Sequence, residues 1–352
     1  MIERYRKSAD PVDRDGRDID PEVGRLSGEG ASQVAAASTD KHVKEMSAAW
    51  EHRAEPASDD PTYYERPMLH ESVWTWAVPL YYYVGGLSGA SMALGAAAAL
   101  NRAQAFDDLV QRCHIIGLAG TVVSGGLLIY DLGRPSRFLN MLRVFRPTSP
   151  MNMGAWILTA TGGTAFVTVV LRDQRGVLGS IGEAFGFISG LFGLGLATYT
   201  GVLIANTAVP VWQASRKSLP VLFGASAVAS LGCAFDVFGE RVAGSRIPHA
   251  FGIVGRAAEV GAGIYTEHEA SAVSRVGRPL KQGWSGVLWR TSALLMATSL
   301  GLALLPTRTR KRRVWSGVLG SVASLLMRFS VEAAGKASAR DPRASFYGQR
   351  EQ

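Results

Sequence analysis

Cysteine is almost absent: 352 residues contain two, Cys113 and Cys233. Two thiols cannot by themselves hold an iron–sulfur cluster or a zinc ribbon, and they give no disulfide framework. Histidine is scarce as well. Of six, only His114 falls well inside an apolar stretch, with His249 at the start of another. A buried haem b held by two histidines on facing helices is therefore not expected. The chain opens without the basic region and apolar core of a cleaved signal peptide, so the first span is expected to direct insertion itself. No internal repeat is found, which removes one support for an inverted-repeat transporter.

Charge is also missing over long distances. Glu71 and Arg102 bracket a charge-free run from Ser72 to Leu100. That is longer than the roughly 20 residues needed to cross a bilayer core. Hydropathy along such runs is continuous and does not alternate, which favours helices over a membrane barrel. The net charge of +8 conceals two opposed parts. Residues 1–73 carry 16 Asp and Glu against 10 Lys and Arg, whereas residues 74–352 carry 27 Lys and Arg against 13 acids. The basic excess belongs to loops between spans, where headgroups and topology account for it. No basic patch is interleaved with aromatics on a soluble fold, so nucleic-acid binding is not expected.

These features predict an all-α fold, a polytopic membrane helical bundle of about eight transmembrane helices. The spans are expected near 74–100, 110–131, 152–171, 184–206, 218–238, 248–266, 285–305 and 314–335. Residues 1–61 read as a polar, acidic, largely disordered tail. Residues 62–343 form the membrane domain, and residues 344–352 a short C-terminal tail. Tryptophans 74, 76, 212, 284, 289 and 315 fall at span ends, as in an aromatic belt. Intramembrane glycines are expected to permit close helix packing.

The densest polar constellation closes the second span. It runs Tyr130-Asp131-Leu132-Gly133-Arg134-Pro135-Ser136-Arg137-Phe138 and continues through Arg143 and Arg146 to Ser149-Pro150-Met151-Asn152. A carboxylate there could accept a proton from a quinol hydroxyl. It could equally be a helix-ending Asp that fixes a loop by pairing with Arg134 or Arg137. Tyr81, in the first span, could hydrogen-bond a quinone carbonyl or anchor at the interface. Tyr199 and Asn206 lie seven residues apart on one face of the fourth span, placed to line a pocket or to join helices. Arg256 and Glu259 are spaced to pair within one helix, as a neutral structural pair or as part of a proton path. A transporter or channel would draw on these ionisable residues and on Arg290, Arg328 and Glu332. A purely structural anchor would need none of them.

Several of these segments resemble the NrfD/polysulfide-reductase membrane-subunit family. The resemblance is carried by Tyr130–Phe138 and Met141–Met151. It is supported by Pro79-Leu80-Tyr81 with Gly85-Gly86, by Ala197–Asn206 with Pro210-Val211-Trp212, and by Ser338-Ala-Arg-Asp-Pro342. It spans roughly residues 62–343. It implies a cofactor-free, eight-helix, multi-pass subunit of a prokaryotic inner membrane. Its substrate would be a quinone or menaquinone, bound within the first four helices. Its partners would be a ferredoxin-like [4Fe–4S] subunit and a molybdopterin oxidoreductase or multihaem catalytic subunit. Under this reading the chain is a non-catalytic or quinol-oxidising, quinone-reducing subunit. Asp131 would be the proton acceptor or donor. Tyr81, Tyr130, Arg134, Tyr199 and Asn206 would bind quinone, and Arg137, Arg143 and Arg146 would dock the partner. Arg256 and Glu259 remain the candidate proton path, and no metal is held by this chain.

Overall fold

The computed structural model describes residues 19–20, 25–26, 67, 69–101, 106–238, 246–306 and 309–345. The chain divides into two units, Met1–Asp60 and Pro61–Gln352. In the first, β1 (Ile19–Asp20) pairs antiparallel with β2 (Arg25–Leu26). The remainder of the expected disordered tail lies outside the described residues.

Every regular element among the second unit's described residues is a helix. In chain order it comprises α1 (Ala77–Ala99), α2 (Asp107–Leu132), α3 (Pro135–Arg143), α4 (Pro150–Leu171), α5 (Val177–Ala205) and α6 (Pro210–Ala214). These are followed by α7 (Ser218–Phe238), α8 (Arg246–Ala270), α9 (Ser274–Lys281), α10 (Gly283–Leu304) and α11 (Arg310–Ala339). Eight of these helices are long, and they occupy the eight expected stretches. Six, namely α2, α4, α5, α7, α10 and α11, are long and apolar enough to cross a membrane. The other two are more polar. Three consecutive tyrosines and several Gly and Ser residues dilute α1, while Arg256, Glu259, Glu267 and Glu269 interrupt α8. The short helices α3, α6 and α9 were not foreseen. Each carries proline: at the first position of α3 and α6, where its missing N–H costs nothing, and inside α9.

Helix α1 packs against α2, α5, α7 and α11, and α7 against α8, α11, α5 and α1, so these two helices form the centre. Glycine permits the closest approach. A Cβ on Gly89 would lie 2.4 Å from the Gly193 carbonyl oxygen and 2.7 Å from the Ala197 nitrogen. The outer surface is apolar, with Val122, Leu191, Leu194, Val254, Ile264 and Leu294 all exposed. Lipid, not water, suits such a surface.

Two of the expected belt tryptophans are internal. Trp212 is 2% exposed, donates its Nε1–H to the Val331 carbonyl at 2.9 Å, and stacks on Trp74 with centroids 5.8 Å apart. Trp289 is buried and donates to Glu267 Oε2 at 3.0 Å. Both indoles close polar contacts between elements, a role that spacing along the chain does not reveal.

The α1–α5 contact supplies a first test. Gly89→Ala must push the α5 backbone outward, an overpacking cost of about 1–3 kcal/mol. The expected outcome is a lower detergent melting temperature than wild type, whereas Gly163→Ala, which meets nothing within 4 Å, should leave it unchanged.

Candidate functional site

Helix α2 ends because Gly133 adopts φ +71° and its N–H reaches back to the Tyr130 carbonyl at 3.2 Å. This stop leaves Asp131 in the last turn. Arg134 is extended ahead of Pro135, as a residue preceding proline prefers, and α3 then starts. The chain before α1 folds across the same end. Thr75 there donates to Asp131 Oδ1 twice, from its backbone N–H at 3.0 Å and from its hydroxyl at 2.6 Å. Asp131 Oδ2 makes no hydrogen bond among the described residues.

This corrects the expectation that arginines hold the carboxylate. Arg137 Nη1 instead donates to the Leu132 carbonyl at 2.9 Å, closing the α2–α3 turn. Arg134 forms no ion pair with Asp131 among the described residues. Arg134, Arg137, Arg143 and Arg146 are all exposed, on the segment that follows α2.

Aromatic residues adjoin Thr75 and Asp131 in the chain. Trp76, 56% exposed, and Tyr130, 55% exposed, lie with centroids 5.6 Å apart. Behind them Tyr81 and Tyr82 are buried, with centroids 5.8 Å apart, and Tyr82 meets Trp74 edge-on. Tyr81 is thus an internal phenol and not an interfacial anchor. It makes no hydrogen bond among the described residues, and its ring lies near Gly85, together with Ser124 and Leu196.

The structure separates Tyr199 from Asn206. Tyr199 donates its hydroxyl to the Pro150 carbonyl and lies flat over Gly154, where any Cβ would strike the ring. Asn206 is exposed and turns back onto the Val202 carbonyl of its own helix at 2.9 Å. The first braces α4 against α5, and the second caps α5.

Asn152, quoted above only as part of the loop motif, organises that loop. Its Nδ2 donates to the carbonyls of Met141 and Val144, at 2.5 and 2.9 Å, and its Oδ1 accepts from the Arg146 N–H at 2.7 Å. One buried amide therefore holds three backbone groups of the Arg143–Arg146 turn. The late segment Ser338–Pro342 works similarly at the same end. Ser338 Oγ accepts from the Val211 N–H at 3.2 Å. Arg340 pairs with Glu71, which raises the arginine pKa above its usual value. Asp341 takes a two-point contact from Arg275 at 2.8 and 3.2 Å.

Inside the bundle, Arg256 and Glu259 do not form the expected intrahelical pair. Arg256 pairs with Asp236 of α7, and Glu259 Oε2 accepts from Ser324 of α11 at 2.8 Å. Arg328 sits 4.3 Å from the centroid of the Phe223 ring and donates Nη2 to the Phe223 carbonyl at 3.1 Å. Glu332 pairs with Lys336 at 2.6 Å, and Lys336 also donates to the Trp74 carbonyl at 2.9 Å. The sequence signal for Asp236 was present: it ends the 18-residue uncharged run of the fifth expected span. Its partner could not be read, because it lies on another helix. Among the described residues, no three His, Cys, Asp or Glu side chains come together as a metal site. Cys113 and Cys233 are buried in different helices.

Residues 66–243 match the family described as polysulphide reductase, NrfD. No curated protein matches the chain. The match takes in α1 through α7 and all of the Asp131 region, while α8 to α11 lie beyond it.

The Asn152 clamp gives a second test. Asn152→Ala leaves two carbonyls and one N–H without their side-chain partner, at about 1–3 kcal/mol for each group that stays buried. Limited proteolysis should then cut preferentially between residues 141 and 150, a segment that wild type should protect.

Proposed function

Because the chain belongs to the polysulphide reductase NrfD family, we propose that it is the membrane-anchoring, quinone-reactive subunit of a multisubunit oxidoreductase. It is a multi-pass integral membrane protein: six of its helices are long and apolar enough to cross. In this reading α1 and α8 cross as well, making eight. Their polar residues are turned inward: Tyr81, Tyr82, Arg256 and Glu259 are all buried. The membrane is the prokaryotic inner membrane.

One observation carries the site. Asp131 is held at Oδ1 by Thr75, makes no hydrogen bond at Oδ2 among the described residues, and stands beside an exposed Trp76–Tyr130 pair at a helix end. A quinol ring stacked on that pair presents a hydroxyl to Oδ2. Oxidation of the quinol releases two electrons and two protons. Asp131 takes a proton in the first step and passes it on before the second. The electrons leave singly to an iron–sulfur cluster of a ferredoxin-like partner. From there they reach a molybdopterin or multihaem catalytic subunit. Quinone reduction is the same sequence in reverse. Thr75 fixes the orientation of the carboxylate, so that the acceptor oxygen is preset.

The other candidates divide by position. Tyr130 is placed to touch the headgroup, and Tyr81 can offer its unused hydroxyl from below. Arg134, Arg137, Arg143 and Arg146 form an exposed basic edge suited to docking the iron–sulfur subunit. Tyr199 positions the α4–α5 wall and Asn206 ends α5, so neither is required to touch the quinone.

Asp131→Asn, in the complex purified through this chain, should lower quinol turnover about 10²–10⁴-fold, the usual weight of a positioned acid–base group. Partner recovery should not change. Full turnover in an assembled Asp131→Asn complex would overturn the assignment.

A further inference from the structure

Where α10 turns into α11, the sequence puts four cations in succession. Arg310, Lys311, Arg312 and Arg313 open α11, and no acid lies in its first turn. The aligned peptide dipoles already make a helix N-terminus positive, so this end draws an anion. Charge alone would not make a site there. The fold adds a recess. A space of about 270 Å³ opens beside the start of α11, with Arg312, Arg313, His249 and Ser316 as its polar lining and Leu302 and Ala303 as its apolar lining. Asp236 also lines it, but Arg256 matches its charge.

Packing fixes the walls. Ser299 and Ser316 exchange hydrogen bonds between α10 and α11, each hydroxyl donating to the other's carbonyl, at 2.7 and 2.8 Å. Gly317 lies so close to α7 that a Cβ would come within 2.6 Å of the Cys233 carbonyl oxygen and 2.9 Å of the Asp236 Cβ. Arg312 Nη2 donates to the Leu305 carbonyl at 3.0 Å and closes the turn between α10 and α11. Arg313 differs. Its Nε is buried and makes no hydrogen bond among the described residues. A buried guanidinium N–H without an acceptor is costly, and an anion in the recess supplies that acceptor.

We infer that the recess holds the phosphate of an anionic phospholipid. A guanidinium offers the two-point donor set that phosphate oxygens accept, and here two arginines line one space. The depth fits a headgroup. Helix α11 rises about 36 Å from Arg312 to Lys336, which donates to the Trp74 carbonyl next to Thr75. A hydrocarbon core is roughly 30 Å thick, so the recess stands at the headgroup level of the leaflet opposite Asp131. The surroundings favour a lipid over free phosphate. Phe238, Leu304, Leu305 and Trp315 are exposed, each within two residues of a lining position, so acyl chains leaving the recess meet apolar surface. The space is smaller than the roughly 300–1,000 Å³ of clefts that enclose a whole small ligand, which suits a headgroup whose chains stay outside. Basic pockets between membrane helices select anionic headgroups in this way. The inference is independent of the quinol reading, and its test needs no turnover.

The complex isolated through this chain is delipidated in maltoside detergent and titrated with phosphatidylglycerol, with bound lipid counted by native mass spectrometry. Phosphatidylcholine of the same chains and inorganic phosphate are titrated alongside. Wild type should bind its first phosphatidylglycerol about fivefold or more tighter than phosphatidylcholine, because only the former carries net charge. Arg312→Gln together with Arg313→Gln should weaken that binding about tenfold or more. Arg216→Gln together with Lys217→Gln removes the same charge from exposed positions outside the recess and should leave it within about twofold. Wild type with no preference for phosphatidylglycerol overturns the site, as does equal binding by wild type and the Arg312 and Arg313 variant. If inorganic phosphate binds wild type as tightly as the lipid does, and the variant loses it, the recess takes free phosphate and the lipid assignment falls. Should the double variant fail to assemble, Arg313→Gln alone should weaken the lipid about threefold or more, and an unchanged affinity overturns the proposal.

Discussion

A charge placed inside a bilayer must bring its counter-charge from another part of the same protein. That constraint organises the second half of this molecule. Asp236 on α7 neutralises Arg256 on α8, Glu259 on α8 is held by Ser324 on α11, and Arg328 on α11 reaches the backbone of α7. Each contact crosses between helices. Removing Asp236 would leave Arg256 uncompensated in low dielectric, a loss of about 3–5 kcal/mol. The three helices therefore cannot shift independently, and the register of α11 against α7 and α8 is set by charge as much as by shape. Apolar packing alone would leave that register loose, because lipid competes equally well for an apolar face.

The other end of the bundle follows a different rule. There the chain leaves the membrane repeatedly, and loose backbone must be tied down. Thr75 ties the segment before α1 to α2, Asn152 ties the α3–α4 turn, and Ser338, Arg340 and Asp341 tie the end of α11 to three other segments. Nearly all of these residues lie in or beside the short stretches by which the family resemblance was drawn. The stretches are distinctive because they are where backbone groups are satisfied by side chains, which only particular side chains at particular positions can do. The resemblance thus has a structural content that does not depend on what the family does.

The long helices were legible because lipid demands continuous uncharged runs, and a run of that kind is visible in one dimension. The end of α2 was legible for a related reason: Gly133 followed by Pro135 can only stop a helix. Partner choice was not legible. Spacing made Arg256 and Glu259 look like a pair, yet their contacts lie on α7 and α11, and nothing in local spacing ranks a neighbour three residues away against one on another helix. Tyr81 and Trp212 looked interfacial because they lie near span ends. Trp212 of α6 instead stacks on Trp74 from the segment before α1, and Tyr81 is buried near Ser124 of α2 and Leu196 of α5.

The contrast between Asp131 and the carboxylates inside the bundle separates two kinds of acid. Glu332 and Asp236 are each matched to a cation within the bundle, so their charge is already balanced. Asp131 is held by hydrogen bonds from an uncharged threonine, has no cation partner among the described residues, and lies beside exposed aromatic rings. Such a group is oriented but not neutralised. The same comparison weighs against a transporter for a charged solute. Such a solute needs an unbalanced site in mid-membrane, and here Asp236 and Arg256 are already paired across α7 and α8.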